Sequence, residues 1–305
     1  MTAQLYRLHA LPLLAVVIWG GVYPGAKFGL MEIPALSFTA LRLVLASAVL
    51  FTLVHWSRRP SAGRSLWLSA LVPGLAQAMF QLFFVLSMLW TTAGNGAILL
   101  ATAPLMVAIW QAVRHGRPGK GAVWLGLVLG LLGVLLVVTG SGSISFSGDH
   151  LLGSVCALLS AAAWAWYGIT AGRVVGVFGS VAATAMSLGI ASVLLLPVSI
   201  GEISAFPWSS VSWIGWSALL YGSLAGPVLA MTLWGYALHR LGPEQTMIYT
   251  YLEPIAAVII AAWLLGESFG AIQALGAVLT LVGVWLATTK AKNDKDQAIQ
   301  SRSRL

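Results

Sequence analysis

The chain has 305 residues, of which 59% are hydrophobic and only 8% charged. Soluble domains carry about a quarter charged residues, and a soluble fold of this size has no interior large enough for so much apolar surface. Lipid is the natural solvent. The net charge of +8 brings nucleic acid to mind, but the basic residues lie in short gaps between apolar runs, which is the pattern of membrane topology and not of a nucleic-acid groove. A single cysteine, Cys156, excludes an internal disulfide and a thiolate metal cluster.

A bilayer span needs roughly 20 mostly apolar residues. Ten such runs follow one another, near 8–30, 34–55, 66–89, 92–113, 121–140, 151–173, 180–200, 212–238, 244–265 and 268–289. The first has no clear cleavage site and reads as a span rather than a signal peptide. It carries Trp19, Tyr23 and Lys27 at i, i+4 and i+8, with Gly20-Gly21 and Pro24 as a candidate hinge. The second holds Arg42 about eight residues in. The third opens on Pro73-Gly74, a second candidate break, and puts Gln77 and Gln81 on one face. An amide facing lipid is costly, so that face should look inward.

Asn95 and Pro104 lie in the fourth run, and Gly126, Gly130 and Gly133 in the fifth. Glycines so spaced let helices approach closely, and they suit a dimer face as well, so the chain is expected as a monomer or a homodimer. The sixth run holds Trp164 and Tyr167 at i, i+3. The eighth has Gly226-Pro227, a further candidate hinge, followed by Tyr236. The ninth places Thr246, Tyr249, Thr250 and Glu253 at i, i+3, i+4 and i+7, one stripe of an α-helix. Pro254 then removes a backbone donor and leaves a carbonyl for its neighbours to satisfy. Residues 291–305 are polar and charged and are expected as a disordered tail.

Charge tests this map. Fourteen of the sixteen lysines and arginines fall in the tails or in every second gap: Arg7, Arg58, Arg59, Arg64, Arg114, Arg117, Lys120, Arg173, Arg240 and the five from Lys290 onward. The alternate gaps hold no cation, only Glu32, Asp149, Glu202 and Glu267. The positive-inside rule therefore puts both termini in the cytoplasm. Lys27 and Arg42 lie within spans, and Glu253 is the one acid deep in a span. An ionised group at such depth costs several kcal/mol unless paired, protonated or hydrated. Arg42 and Glu253 come to within roughly 5 Å in depth at 1.5 Å rise per residue, which suggests that they pair or share a polar cavity.

Shifted by 150 residues, 91–140 lies on 241–290 without a gap, with 14 of 50 positions identical. Pro104 falls on Pro254, Gly116 on Gly266, Gly126 on Gly276 and Gly133 on Gly283; Trp19 and Trp164 both stand near the middle of the first span of a half. The chain divides into 1–144 and 145–290. Five spans per half invert the second half relative to the first, a signature of transporters with a midplane site between the repeats. The expected fold is all-α, ten transmembrane helices in two inverted repeats around a central cavity.

The stretch from Thr91 to Leu105 (TTAGNGAILLATAPL) resembles the fourth span of the drug/metabolite transporter superfamily in its EamA-type branch. Tyr249-Thr250-Tyr251-Leu252-Glu253-Pro254 with the Leu265-Gly266-Glu267 stop resembles the ninth, and Leu41-Arg42 fits the second. The likeness covers about 10–290. It implies cytoplasmic termini and export of small metabolites in a bacterial inner membrane. Within the family the chain resembles the aromatic amino acid exporters, by general likeness and tryptophan richness. Ala103 stands where the second half has Glu253, so the halves supply no symmetric pair of acids.

Trp19, Tyr23, Gln77, Gln81, Asn95, Trp164, Tyr167 and Tyr249 form the expected solute-binding set, since rings and amides suit a planar amphipathic solute. Glu253, Arg42 and Lys27 are the candidates for buried charge and coupling. Belt positions account for most of the other tryptophans. No cofactor, metal or nucleotide site is expected; the partners are a small solute and the bilayer. The competing readings are a proton-coupled multidrug exporter, an exporter of purines or non-aromatic amino acids, and, outside transport, an intramembrane enzyme or receptor. Against an enzyme, neither H-E-x-x-H nor G-x-S-x-G occurs.

Overall fold

The computed structural model describes residues 2–56, 68–91, 93–116, 121–140, 151–265 and 270–302, without the side chains of 2–7, 23, 24, 26, 27, 56, 93, 94, 140, 261, 264, 265 and 289–302. Tyr23, Pro24 and Lys27 thus lie outside the described side chains. Every element among the described residues is helical. In lipid this is forced, because a helix satisfies its own backbone hydrogen bonds where no water can.

The elements are α1 (Thr2–Leu30), α2 (Ala35–Trp56), α3 (Leu71–Trp90), α4 (Ala93–Leu100), α5 (Ala103–His115), α6 (Gly121–Gly140), α7 (Leu151–Phe178), α8 (Ser180–Ala205), α9 (Trp213–Ser223), α10 (Met231–Leu241), α11 (Pro243–Met247), α12 (Glu253–Leu265) and α13 (Ala271–Arg302). A π-helical segment, Leu224–Ala230, joins α9 to α10, and a 3₁₀ segment, Ile248–Leu252, joins α11 to α12. Eight helices among the described residues are long and apolar enough to cross a membrane, and Leu8–Val22 adds a shorter apolar one. The chain is a multi-pass membrane protein. The backbone of α13 stays helical through Arg302, into the stretch expected as a disordered tail. Its Ala-, Lys- and Gln-containing sequence tolerates extension of a helix already nucleated in the bilayer.

Two prolines show how sequence shapes the breaks. Pro254 has no N–H to give the Thr250 carbonyl, and the Glu253 N–H takes that carbonyl instead, tightening 248–252 to 3₁₀ winding. Pro104 stands in the first turn of α5, where the missing donor costs nothing. The turn before it is closed by the Thr102 N–H, which donates to the Leu99 carbonyl at 3.1 Å. The starts of α4, α5 and α6 at 93, 103 and 121 recur at 243, 253 and 271 in α11, α12 and α13. The 150-residue spacing read in the sequence is thus a spacing of helix starts.

Packing interleaves the two parts of the chain. α3 packs on α7, α2 on α8, α1 on α9, α10 and α12, and α6 on α13. The α6–α13 contact is backbone against backbone. A Cβ at Gly126 would stand 2.6 Å from the Gly283 carbonyl oxygen, and one at Gly276 would stand 2.7 Å from that of Gly133. The glycines read as candidates for close approach or a dimer face are therefore engaged within the chain. Lipid is as apolar as a leucine core, so such close contact, rather than expulsion of water, holds these helices together.

Candidate functional site

Five aromatic rings meet where these layers cross. Trp164 of α7 is the hub. Its ring stacks on Tyr167 one turn later, centroids 5.4 Å apart and 5° from parallel. Trp19 of α1 meets it edge-on at 5.6 Å, Phe80 of α3 lies tilted at 4.9 Å, and Trp234 of α10 stacks at 5.8 Å. Trp19 and Trp234 also touch, at 5.1 Å. These separations lie within the favourable range for ring pairs. The Ser160 hydroxyl, one turn before Trp164, donates to the Phe80 carbonyl at 3.1 Å and ties α7 to α3.

The Pro227 ring sits inside the π-helical segment, whose wider turn is closed by the Met231 N–H on the Gly226 carbonyl. Such π-helical turns are frequent at functional sites. Gly226 faces Trp19, with a Cβ there 3.7 Å from Trp19 Cδ1; Gly222, a turn earlier, faces Arg42 at 3.6 Å from its Cδ. The end of α9 thus backs the half-buried Arg42, and the π-helical segment after it backs Trp19.

Polar groups border the rings along α3. Arg42 Nη2 donates to Gln81 Oε1 at 3.0 Å. Gln81 is 5% exposed and Gln77, one turn before it, is 1% exposed. Gln77 Oε1 and Trp234 Nε1 have no hydrogen-bond partner among the described residues. A buried polar atom left so costs roughly 1–3 kcal/mol, and uncompensated polar atoms of this kind call for an explanation. An acceptor on α3, one turn before Phe80, and a donor on the Trp234 ring itself are thus left without a partner among the described residues, a chemistry suited to a solute with a planar apolar body and a polar end.

The expected site residues are distributed as follows. Trp19, Trp164 and Tyr167 come together in the ring cluster, and Gln77 and Gln81 are buried on α3 on either side of Phe80 in sequence. Asn95 lies in the first turn of α4, its Nδ2 donating to Thr91 Oγ1 at 3.2 Å. Tyr249 is joined to His9 of α1 by a 2.8 Å contact between its hydroxyl and His9 Nδ1. Arg42, expected to pair or share a cavity with Glu253, has Gln81 as its amide neighbour. Glu253 opens α12 and is half-buried. A carboxylate in a helix's first turn is favoured by the dipole. Thr246, Tyr249, Thr250 and Glu253 do not form one α-helical stripe, because the 3₁₀ turns advance 120° per residue and rotate Glu253 by about a quarter turn relative to Thr246.

The candidate hinges differ in kind. α1 runs unbroken through Gly20, which packs on α12: a Cβ there would lie 2.7 Å from that of Ala256. Pro73 lies in the first turn of α3 and marks a helix start, while Gly226 and Pro227 form part of the π-helical segment. Tyr236, expected near the pocket, is 38% exposed, and Arg240 donates to its hydroxyl at 3.1 Å. Trp234 holds the inward place. Its signal was the buried stripe Met231, Trp234, Leu238 and Leu241, from which Tyr236 is turned by two residues. Phe80 had a comparable signal, standing between Gln77 and Gln81 on the inward face of α3.

A model of the EamA-like transporter family matches residues 8–139 and, separately, 151–289. The chain belongs to the EamA-like transporter family. An uncharacterized transporter of Archaeoglobus fulgidus is 30% identical to this family member over 288 residues, covering 93% of this chain and 98% of its own. The inner membrane transporter YedA of Escherichia coli K12 is 25% identical, covering 93% and 92%. A probable amino-acid metabolite efflux pump of the same strain is 27% identical over 287 residues, covering 90% and 93%. A solved crystal structure superposes with a TM-score of 0.75 at 18% identity, covering 94% of this chain and 98% of that one; the overall fold is shared.

Proposed function

We propose that the chain exports small metabolites, foremost amino acids with an aromatic side chain, by alternating access across a bacterial inner membrane. Ten spans in two five-span repeats of opposite orientation form the machine, with both termini cytoplasmic. The observation that carries this reading is the ring cluster together with two unpartnered buried atoms, Trp234 Nε1 of the cluster itself and Gln77 Oε1, one turn before Phe80. Trp19 and Phe80 come from the first repeat; Trp164, Tyr167 and Trp234 come from the second. Rings take the planar side chain, Gln77 accepts from an ammonium, and Trp234 donates to a carboxylate.

The repeat reading is supported by the recurrence of helix starts at 150 residues and by the two separate family matches. The packing pairs also map onto one another when the repeats are exchanged: span three on six mirrors span eight on one, and four on six mirrors nine on one. Trp19 and Trp164, each near the middle of the first span of its half, touch, and repeat interfaces are where transporters hold solute. The efflux pump among the relatives supports an amino acid as cargo. Membership in a transporter family supports transport over catalysis.

The test is uptake of labelled phenylalanine and tryptophan into proteoliposomes holding the purified protein, with threonine as competitor and with or without a pH gradient. Flux competed by aromatic solutes and not by threonine is expected. Absence of flux for every amino acid overturns the cargo. Flux that follows the pH gradient makes Glu253 the first candidate proton carrier; flux indifferent to it makes the protein a facilitator.

A further inference from the structure

Two acids from gaps without cations make reciprocal contacts between the same two connections. Glu32 follows α1, in the α1–α2 connection. Its Oε2 accepts from the Ser212 N–H and its Oε1 from the Ser212 hydroxyl, both at 2.7 Å. Ser212 is the N-cap of α9, and its Oγ also accepts from the N–H groups of Ile214 and Gly215. Glu202 lies in the last turn of α8, before the α8–α9 connection. Its Oε2 accepts from the Ser37 N–H at 3.0 Å and the Ser37 hydroxyl at 3.2 Å, in the first turn of α2.

Each carboxylate thus satisfies donors at the start of a helix from the other repeat, where the dipole favours negative charge. The approach is built in: a Cβ at Gly215 would stand 2.8 Å from Glu32 Oε2. Beneath the two contacts lies an apolar plug of Val22, Ile33, Phe38, Val211 and Leu219.

We propose that Glu32 and Glu202 are the two bolts of an outer gate, closing the α1–α2 connection on the start of α9 and the end of α8 on the start of α2, and that both open for solute to leave. This rests on the alternating-access reading and on the orientation that places these gaps outside. Solute leaving between the repeats must part elements that belong to different repeats, and these four hydrogen bonds and the plug below them join such elements. Charge-assisted bonds of this kind are the strong ones, yet they lie at the membrane surface, where water replaces them once the connections separate. The bolts therefore set the balance between closed and open states without touching the solute.

Leu219, 2% exposed in the plug, is the reporter. A Leu219→Cys variant in a Cys156→Ala background is treated in cells with a membrane-impermeant maleimide from outside. Labelling is expected to be slow with both acids present and roughly tenfold faster in Glu32→Ala/Glu202→Ala, with each single substitution between, as for a shift in a two-state balance. Equal rates in all four proteins overturn the gate. A second pair, Ser37→Cys with Glu202→Cys, is bridged by a bifunctional thiol reagent that a reductant cleaves. Bridging is expected to stop phenylalanine flux and reduction to restore it; full flux with the bridge complete overturns the gate. The labelling arm needs no cargo, so a wrong substrate assignment leaves it decisive.

Discussion

At the scale of single residues, the site rests on buried polar atoms whose cost the fold does not recover. Gln77→Leu removes a buried acceptor without changing volume greatly. Its expected outcome is unchanged or slightly higher thermal stability of the detergent-purified protein, because an unpaired buried group costs roughly 1–3 kcal/mol, together with a loss of phenylalanine flux of about tenfold or more, the equivalent of one hydrogen bond to a charged group. A structural role for Gln77 would lower both. Trp234→Ala is expected to abolish aromatic flux, while Tyr236→Ala leaves it within about twofold, measured in the same proteoliposomes; the first ring is 0% exposed and the second 38%. Trp19 and Trp164 were legible because each stands near the middle of the first span of its half. Trp234 was legible only through the apolar stripe it shares with Met231, Leu238 and Leu241, which Tyr236 does not join; the contact of His9 with Tyr249 has no sign in the sequence.

At the scale of helices, glycine and proline carry most of the specification. Gly283→Ala in α13 is expected to destabilise by about 1–3 kcal/mol, the usual result of adding a methyl group to a full contact, read as a lower melting temperature. A Cβ there would lie 2.5 Å from the Gly130 nitrogen. Gly121→Ala is the control, since a Cβ at that position meets nothing within 4 Å. The spans themselves were readable from apolar run length and from the alternation of charge in the gaps. Their internal winding was not. The 3₁₀ turns before Pro254 follow from a donor the proline lacks, but where the slack is taken up depends on tertiary neighbours. The π-helical segment around Pro227 was readable only as a place where regular winding would be disturbed.

At the scale of the whole molecule, the sequence carries the plan more fully than the contacts. A 150-residue shift found by aligning Pro104 with Pro254 reappears in the starts of three helices in each half. The interleaving of the halves was not readable, since no single-sequence pattern says which helix packs on which. The same holds for the reciprocal contacts of Glu32 and Glu202: the sequence placed both acids in gaps without cations and gave no sign of their partners. The flux measurement belongs at this scale, because the proposed cargo and its coupling depend on elements from the whole chain. One difference between the aligned stretches bears on coupling: Ala103 stands against Glu253, so only one of the two positions carries an acid.

The glycine seam between α6 and α13 has a consequence for how the gene tolerates change. Two backbones in contact leave no slack for a side chain, so the seam is as demanding as the ring cluster although it lies in different helices. A library of substitutions selected for export should show two separate blank regions. Growth at lower temperature should refill the seam, where the defect is one of assembly, and leave the rings empty, where it is one of recognition.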